Sequence, residues 1–458
     1  MLEFTVRQIV AAVDGRLLQG NPHTLLRGLS TDSRRVRPDE LFIALRGERF
    51  DGHRFLAAVA QAGAGAAVVS DSVPAGDQMA LIKVVDTQTA LGAIGRAHRQ
   101  RFRIPIIGIT GSNGKTTTKD LVASVLAQAY PIVKTEQNFN NEIGLPLTLL
   151  NIDPETAAAV VEMGMRGPGQ IRQLAQIARP TVAIVTNVGL THLELLGTQA
   201  DIAKAKAELV AELTHDGLAV LNGDDPYVRP MRELTRARTV FYGIDAPQLD
   251  YRAVAIRQRD SGCEFVARTP SGELPVTLPL PGRHNIMNAL AAIAVAKELG
   301  LSDIVVQVGL NAPEMTGKRL YRSEHNGYQI IDDTYNASPT SVRAALDVLA
   351  DGTARGRRIA VLADMLELGP EAPRLHWELG EYAAQAGIDL LLGYGELARE
   401  YVTGFNGVKP GGAHYSSKTV LIAELQRRLQ PGDQILVKGS RGMRMEEVVA
   451  ALTNKEDE

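Results

Sequence analysis

Apolar residues along this chain come in short unbroken runs, and the runs end abruptly in glycine and polar side chains. Ala157-Ala-Ala-Val-Val161 stops at Glu162-Met-Gly164, Thr181-Val-Ala-Ile-Val185 at Thr186-Asn-Val-Gly-Leu-Thr-His192, and Gly217-Leu-Ala-Val-Leu221 at Asn222-Gly-Asp-Asp-Pro226. Runs this short, bounded by turn formers, read as strands buried on both faces. Segments with helical spacing separate them, and that alternation predicts a parallel sheet covered by helices. In open sheets of this kind the carboxyl ends of the strands form the ligand crevice, so these polar tails are expected to gather in one place.

The same pattern divides the chain. Thr5 is placed to cap a helix through Ala12, and Leu41-Phe-Ile-Ala-Leu45 and Ala66-Ala-Val-Val69 read as buried strands, which gives a small α/β domain over residues 1–82. The strand Leu81-Ile-Lys-Val-Val85 and a polar helix from Thr87 to Arg101 belong to the junction, with a connecting segment over 83–103. The central domain is expected to run over 83–313 and to finish with a helix, Ile286 to Leu299, opened by Pro279-Leu-Pro-Gly-Arg-His-Asn285 and closed by Gly300. Near residue 314 the pattern restarts. Tyr328-Gln-Ile-Ile331 runs into Asp332-Asp-Thr-Tyr-Asn-Ala-Ser-Pro339, Arg358-Ile-Ala-Val-Leu362 into Ala363-Asp-Met-Leu-Glu-Leu-Gly369, and Gln434-Ile-Leu-Val437 into Lys438-Gly-Ser-Arg441. This second strand–helix set predicts a third domain over 314–458. No internal repeat is evident, and the charged tail Asn454-Lys-Glu-Asp-Glu458 is expected to fray.

One run differs from the others in the residues at its carboxyl end. Ile104-Pro-Ile-Ile-Gly-Ile-Thr110 leads into Gly111-Ser-Asn-Gly-Lys-Thr-Thr117 and then a helix with Leu121, Val122, Val125 and Leu126 on one face. Strand, glycine loop and helix together make a phosphate site, because backbone N–H groups and the positive end of the helix converge on an anion. Lys115 is expected to reach the terminal phosphates and the Thr116 hydroxyl a bound Mg²⁺. Ile109 stands where the longer form of this loop has its first glycine, so the ordinary NTPase families fit poorly.

Length and composition narrow the classes. At 458 residues the chain exceeds one ordinary domain. A net charge of -3 argues against a non-specific nucleic-acid binder. The single cysteine, Cys263, excludes an intrachain disulfide and fits a reducing compartment. No stretch reaches membrane-spanning length and the start lacks an apolar signal core, so a cytoplasmic protein without membrane insertion is expected.

Other polar residues stay open on their own terms. Glu162 at a strand end is either a surface charge or an oxygen ligand for Mg²⁺. His192 is either structural or a metal or phosphate contact, although imidazole is not a preferred Mg²⁺ ligand. Lys204 and Lys206, on a helix from Ala200 to Leu213, read as a solvated face unless one loses its charge. Ser30-Thr-Asp-Ser-Arg-Arg35 and Asp51-Gly-His53 suit a diphosphate or a solvated turn equally well. Arg319, Asp333 and Asn336 could grip a nucleotide only after two domains close.

Taken together, these residues resemble the Mur ligase family, ATP-dependent amide ligases of peptidoglycan precursor synthesis. Thr110-Gly-Ser-Asn-Gly-Lys-Thr-Thr117 matches the short phosphate loop of that family, and Glu162, His192, Asn285, Arg319 and Asp333 follow in the expected order. Gln137-Asn-Phe-Asn-Asn-Glu-Ile-Gly-Leu-Pro146 and the strand tails of the third domain match the branch that adds D-alanyl-D-alanine to UDP-N-acetylmuramoyl-tripeptide. The resemblance implies an α/β protein of three domains: a small α/β domain for the UDP-sugar, a central P-loop ATPase-like domain with a parallel sheet, and a Rossmann-like domain for the amine. It implies ATP and Mg²⁺ as cofactors. ATP would lie on Gly111, Ser112, Asn113, Gly114, Lys115, Thr116 and Thr117, with Asn285, Arg319, Asp333 and Asn336 completing the pocket. Lys115, Glu162, His192 and Lys206 would be catalytic, and Thr116, Glu162, His192 and a carbamylated Lys206 would hold metal. Ser33, Arg34, Asp51, Gly52, His53, Asn138 and Asn141 would hold the UDP-sugar. A monomer is expected. The alternatives are a sister ligase or a folylpolyglutamate-type ligase with another amine acceptor, and a nucleotide switch that makes no bond.

Overall fold

The computed structural model describes residues 3–47, 50–71, 79–259, 262–317, 320–352 and 355–453. Arg319 and the tail Asn454 to Glu458 lie outside the described residues. Among those described, the strands form one small antiparallel ribbon and three larger sheets.

At the amino end the order is Arg16–Gln19, Ala80–Lys83, Ala66–Val69, Leu41–Ile43 and Leu29–Ser30, parallel except where Arg16–Gln19 joins. The helix Val6–Ala12 starts as expected. The Gln8 backbone N–H donates to Thr5 Oγ1 (3.3 Å), and the Thr5 N–H donates to Gln8 Oε1 (2.8 Å). The junction helix Thr87–Arg99 lays Ala90, Leu91 and Ile94 into this domain's core beside Val6, Ile43, Val68 and Ile82. Its other side fits the central domain through Gly95, where a Cβ would lie 2.9 Å from Pro146 Cβ. The helix is thus a wall shared by two cores.

The central sheet runs Gly272–Leu278, Gly262–Thr269, Tyr251–Arg259, Arg238–Gly243, Leu218–Asn222, Val182–Val185, Ile106–Thr110, Ala158–Glu162 and Ile132–Lys134. From Tyr251–Arg259 to Ile132–Lys134 neighbouring strands pair parallel, as expected, whereas Tyr251–Arg259, Gly262–Thr269 and Gly272–Leu278 pair antiparallel. The expected parallel sheet therefore needs correcting at one edge. Along Gly272–Leu278 the buried Leu274, Val276 and Leu278 alternate with exposed residues, the period-two mark of a sheet covered on one face only. Cys263 is buried in this edge. The phosphate-loop helix Lys115–Leu126 and the apolar helix Arg283–Glu298 cover one face, and helices Gln170–Ala178 and Gln199–Ala211 cover the other.

The third sheet, in the order Tyr321–His325, Tyr328–Asp333, Gln434–Lys438, Arg358–Ala363, Leu390–Tyr394 and Gly412–Tyr415, is doubly wound. Helices Pro339–Ala350, Ala372–Gln385 and Ala398–Val408 pack on one face, and Lys418–Arg428 and Glu446–Thr453 on the other. The loop after Gln434–Lys438 therefore leaves to one face and the loops after both of its neighbours to the other, which is where crevices open.

Two helices here approach almost backbone to backbone. A Cβ on Gly380 would lie 2.0 Å from the Tyr401 carbonyl oxygen, and one on Gly404 2.1 Å from that of Trp377. Gly380→Ala must push the pair apart, with an expected cost of about 3 kcal/mol. A thermal melt of the variant should show a transition several degrees lower.

The segment leading into the third domain is bolted to the phosphate-loop helix. The Thr316 N–H and Oγ1 both donate to the Asp120 carboxylate (2.7 Å each), and Lys119 Nζ donates to Thr316 Oγ1 (3.0 Å) and the Thr135 carbonyl (2.9 Å). Lys119 and Asp120 are themselves paired at 2.9 Å with no exposed side-chain surface. The Glu314 N–H donates to Ser124 Oγ (2.9 Å).

Candidate active site

The phosphate loop is shaped by its glycines. Gly111 has φ +152°, and a Cβ there would sit 1.8 Å from Thr186 Oγ1. Gly114 has φ +81°, and its Cβ would meet Asn288 Oδ1 at 2.5 Å. The loop is laced to the tail of the next strand. Backbone N–H groups of Ser112 and Asn113 donate to the Asn187 carbonyl and Oδ1 (2.9 Å each), and Thr186 Oγ1 donates to the Asn113 carbonyl (2.6 Å). Lys115 begins the helix, and its Nζ lies over the loop, donating to the carbonyls of Gly111 (2.8 Å) and Ser112 (3.3 Å).

Glu162 is brought beside this loop by strand pairing, since Ala158–Glu162 lies next to Ile106–Thr110 with Glu162 opposite Ile109. Thr116 Oγ1 donates to Glu162 Oε2 and Asn140 Nδ2 to Glu162 Oε1, both at 2.7 Å. Glu162 is 3% exposed, so it is no surface charge. Hard oxygen donors at this point suit Mg²⁺.

Lys204 and Lys206 part company. Lys204 is exposed and paired with Asp201 (2.8 Å). Lys206 is buried, and no carboxylate or hydrogen-bond acceptor meets its amine among the described residues. Burial, with Lys115 nearby, pushes its pKa well below the usual lysine range. Lys115 and Lys206 also act on His192, whose pKa falls chiefly through burial, while Glu367 pulls it back up. Glu367 belongs to the third domain and holds His192 Nδ1 at 2.6 Å.

The third domain meets the loop at a second place, where Ser338 Oγ donates to Asn113 Oδ1 (2.8 Å). Nearby, Leu190 packs against the third domain's core. Asn113 Nδ2 and Thr191 Oγ1 are buried without partners, polar atoms that an anionic ligand in the cleft could satisfy. Asp333 and Lys438 end adjacent strands and pair at 2.5 Å, and Lys438 also donates to the Asn336 carbonyl (2.9 Å). They act on His284 at the start of the helix Arg283–Glu298, where desolvation pushes the imidazole down to about 4 against the pull of Asp333. Asn285 Oδ1 accepts from Asn288 Nδ2 (3.2 Å), and Asn288 Oδ1 accepts from Thr118 Oγ1 (3.2 Å), so this helix is tied to the phosphate-loop helix.

Comparison with known proteins agrees along the length of the chain. Family models described as Mur ligase family, catalytic domain, Mur ligase middle domain, and Mur ligase, glutamate ligase domain match residues 25–99, 109–296 and 318–441. The sequence is 39% identical over 459 residues to the UDP-N-acetylmuramoyl-tripeptide--D-alanyl-D-alanine ligase of Bacillus subtilis strain 168, covering 99% of each. The chain belongs to the Mur ligase family. This Mur ligase is similar in structure to MurF from Acinetobacter baumannii, with a TM-score of 0.93, 32% identity and 99% and 100% of the two chains covered. It is also similar to the MurF ligase of Thermotoga maritima solved in complex with ADP, with a TM-score of 0.83, 29% identity and 93% and 97% covered.

Not every residue singled out in this Mur ligase joins the cleft contacts. Asn138 is exposed, and Asn141 Oδ1 accepts the N–H groups of Gly144 (2.9 Å) and Ile143 (3.3 Å) at the start of the helix Gly144–Leu149. It is Asn140, between them and missed in the sequence, that reaches Glu162. In the first domain Arg34 forks onto Asp32 (2.9 and 2.8 Å) next to Ser33, so its guanidinium is already engaged. Asp51 accepts from the His53 N–H (3.0 Å) and faces its Nδ1 (2.6 Å), while His53 Nε2 accepts from the Ser70 N–H (2.9 Å). The Asp51 carboxyl is lowered to about 2, first by the His53 N–H. Gly52 lies against the Ala44 backbone, 2.9 Å from a would-be Cβ. Glu367 and Asn288 were also missed, because only the folded chain places them here.

Proposed function

We propose that this Mur ligase joins D-alanyl-D-alanine to UDP-N-acetylmuramoyl-tripeptide at the expense of ATP, giving the pentapeptide nucleotide, ADP and phosphate through an acyl phosphate. Full-length likeness to ligases of that name supports the substrates. The chemistry is carried by one observation: a buried carboxylate, Glu162, hydrogen-bonded to Thr116 at the foot of the phosphate loop. Residues 1–82 would hold the UDP-sugar through Ser33, Arg34, Asp51, Gly52 and His53, joined by Asn138 and Asn141. Residues 83–313 would hold ATP on 111–117 with Asn285, and residues 314–458 would bring Asp333, Asn336 and the amine. Arg319 is proposed for the nucleotide on the resemblance alone.

The tripeptide carboxylate must approach the γ-phosphate, anion against anion. Lys115 offsets that repulsion from within the loop, and the helix behind it adds its positive end. Thr116 and Glu162 fit Mg²⁺, and His192 with Lys206 fits a second ion, Lys206 as a carbamate. The buried Lys206 amine, which meets no acceptor among the described residues, supports that role, because a neutral amine takes up CO₂ and becomes an anionic oxygen donor. When bound, magnesium supplies positive charge to the phosphates and the incoming carboxylate. Closure of the third domain over the loop would keep water from the acyl phosphate until the amine of D-alanyl-D-alanine displaces phosphate. No helix among the described residues is long and apolar enough to cross a membrane, and we take the enzyme to be a cytoplasmic monomer.

The test is purified protein with ATP, Mg²⁺ and each UDP-peptide, paired with D-alanyl-D-alanine or single amino acids. Phosphate should be released in step with pentapeptide, and only with the tripeptide and the dipeptide together. Release driven by a single amino acid would assign a sister ligase. Release without any amine would assign a nucleotide switch.

A further inference from the structure

The run Ala363-Asp-Met-Leu-Glu-Leu-Gly369 supplies a contact that the proposed roles leave unused. Glu367 sits just past the strand Arg358–Ala363 in the third domain and reaches His192 of the central domain. Both residues are non-glycine and left-handed, with φ +64° and +59°. Such backbones persist only where the surroundings hold them. Here the surroundings are well defined. The Met365 N–H donates to His376 Nε2 (2.9 Å), the Leu366 N–H to Ser440 Oγ (2.9 Å), and the Glu194 N–H to the Glu367 carbonyl (3.2 Å). Gly369 packs on Glu194, 3.4 Å from a would-be Cβ to its Cα. The hook is therefore set by the third domain and seated against the turn that carries His192.

A carboxylate at 2.6 Å from Nδ1 fixes the tautomer, since it accepts the Nδ1 proton and leaves the Nε2 lone pair free to coordinate. Histidines that bind metals are oriented in this way by a carboxylate on the far ring nitrogen. In this molecule the orienting carboxylate comes from a different domain. We propose that Glu367 is a positioning residue, which turns Nε2 of His192 toward the metal and so makes the second metal position complete only when the third domain closes. The proposal rests on the reading of His192 as a metal ligand.

The probe is Mn²⁺, titrated into the full-length enzyme with ADP and followed by electron paramagnetic resonance. His192→Ala should weaken binding, and Glu367→Ala should reproduce that loss, about 10- to 100-fold. Glu367→Gln keeps an oxygen that accepts from Nδ1 and should restore most of it. X-ray scattering with ADP and Mn²⁺ should show Glu367→Ala more extended than the parent, and circular dichroism checks that all variants fold. Parental Mn²⁺ binding by Glu367→Ala, alongside a weakened His192→Ala, would overturn the proposal and leave the metal reading standing. Equal loss in the Ala and Gln variants would overturn the assignment of Glu367 as a hydrogen-bond acceptor. Parental binding by His192→Ala would remove the metal reading and Glu367's role together.

Discussion

Lys115→Ala should fold normally and lose about 10³-fold in turnover, the scale set by removing one preorganised charge from a developing phosphoryl transfer. The fold should survive because the lysine amine donates to carbonyls of its own loop, and alanine is a better first residue for the helix it opens. The loop itself is held by other groups, Asn187 and Thr186 above all. Thermal melting should therefore match the parent while phosphate release in the tripeptide and D-alanyl-D-alanine assay falls. Full activity in this variant would remove the loop from the mechanism.

Glu162→Gln is the companion experiment, and stability and activity should move independently. The substitution removes a buried negative charge whose hydrogen bonds come from neutral groups, the Thr116 hydroxyl and the Asn140 amide. Replacing such a charge by an isosteric neutral group is neutral or favourable for folding. The melting temperature should hold or rise. Turnover should fall about 10²- to 10³-fold, and the Mg²⁺ concentration needed for half-maximal rate should climb. A variant with parental Mg²⁺ dependence would dismiss Glu162 as a ligand.

The sequence was legible wherever a feature depends on neighbours along the chain. Thr110 to Thr117 announced strand, loop and helix, and Thr5 with Gln8 announced a helix start, because each signal lies within one turn of the element it controls. Strand ends such as Glu162 could be expected near the loop, because parallel strands end on the same side. The choice between Asn138, Asn140 and Asn141 could not be made, since it depends on the loop's twist and on the Asn140 carbonyl accepting the Gly164 N–H. Nor could burial separate Lys204 from Lys206, two residues apart on a helix with little amphipathic contrast. The antiparallel edge is legible at Leu274, Val276 and Leu278, which alternate with polar residues and a proline, whereas the short unbroken apolar runs elsewhere point to parallel strands. Glu367 was out of reach because its partner is 175 residues away.

The buried grip of Lys119 and Asp120 on Thr316 has a mechanical consequence. The tether of the last domain is mounted on the helix that follows the phosphate loop, one turn beyond Lys115. A pull on the last domain at this point meets a buried ion pair and three hydrogen bonds to Thr316 before it reaches Lys115, while Gly317 and Leu320, past the tether, both take positive φ.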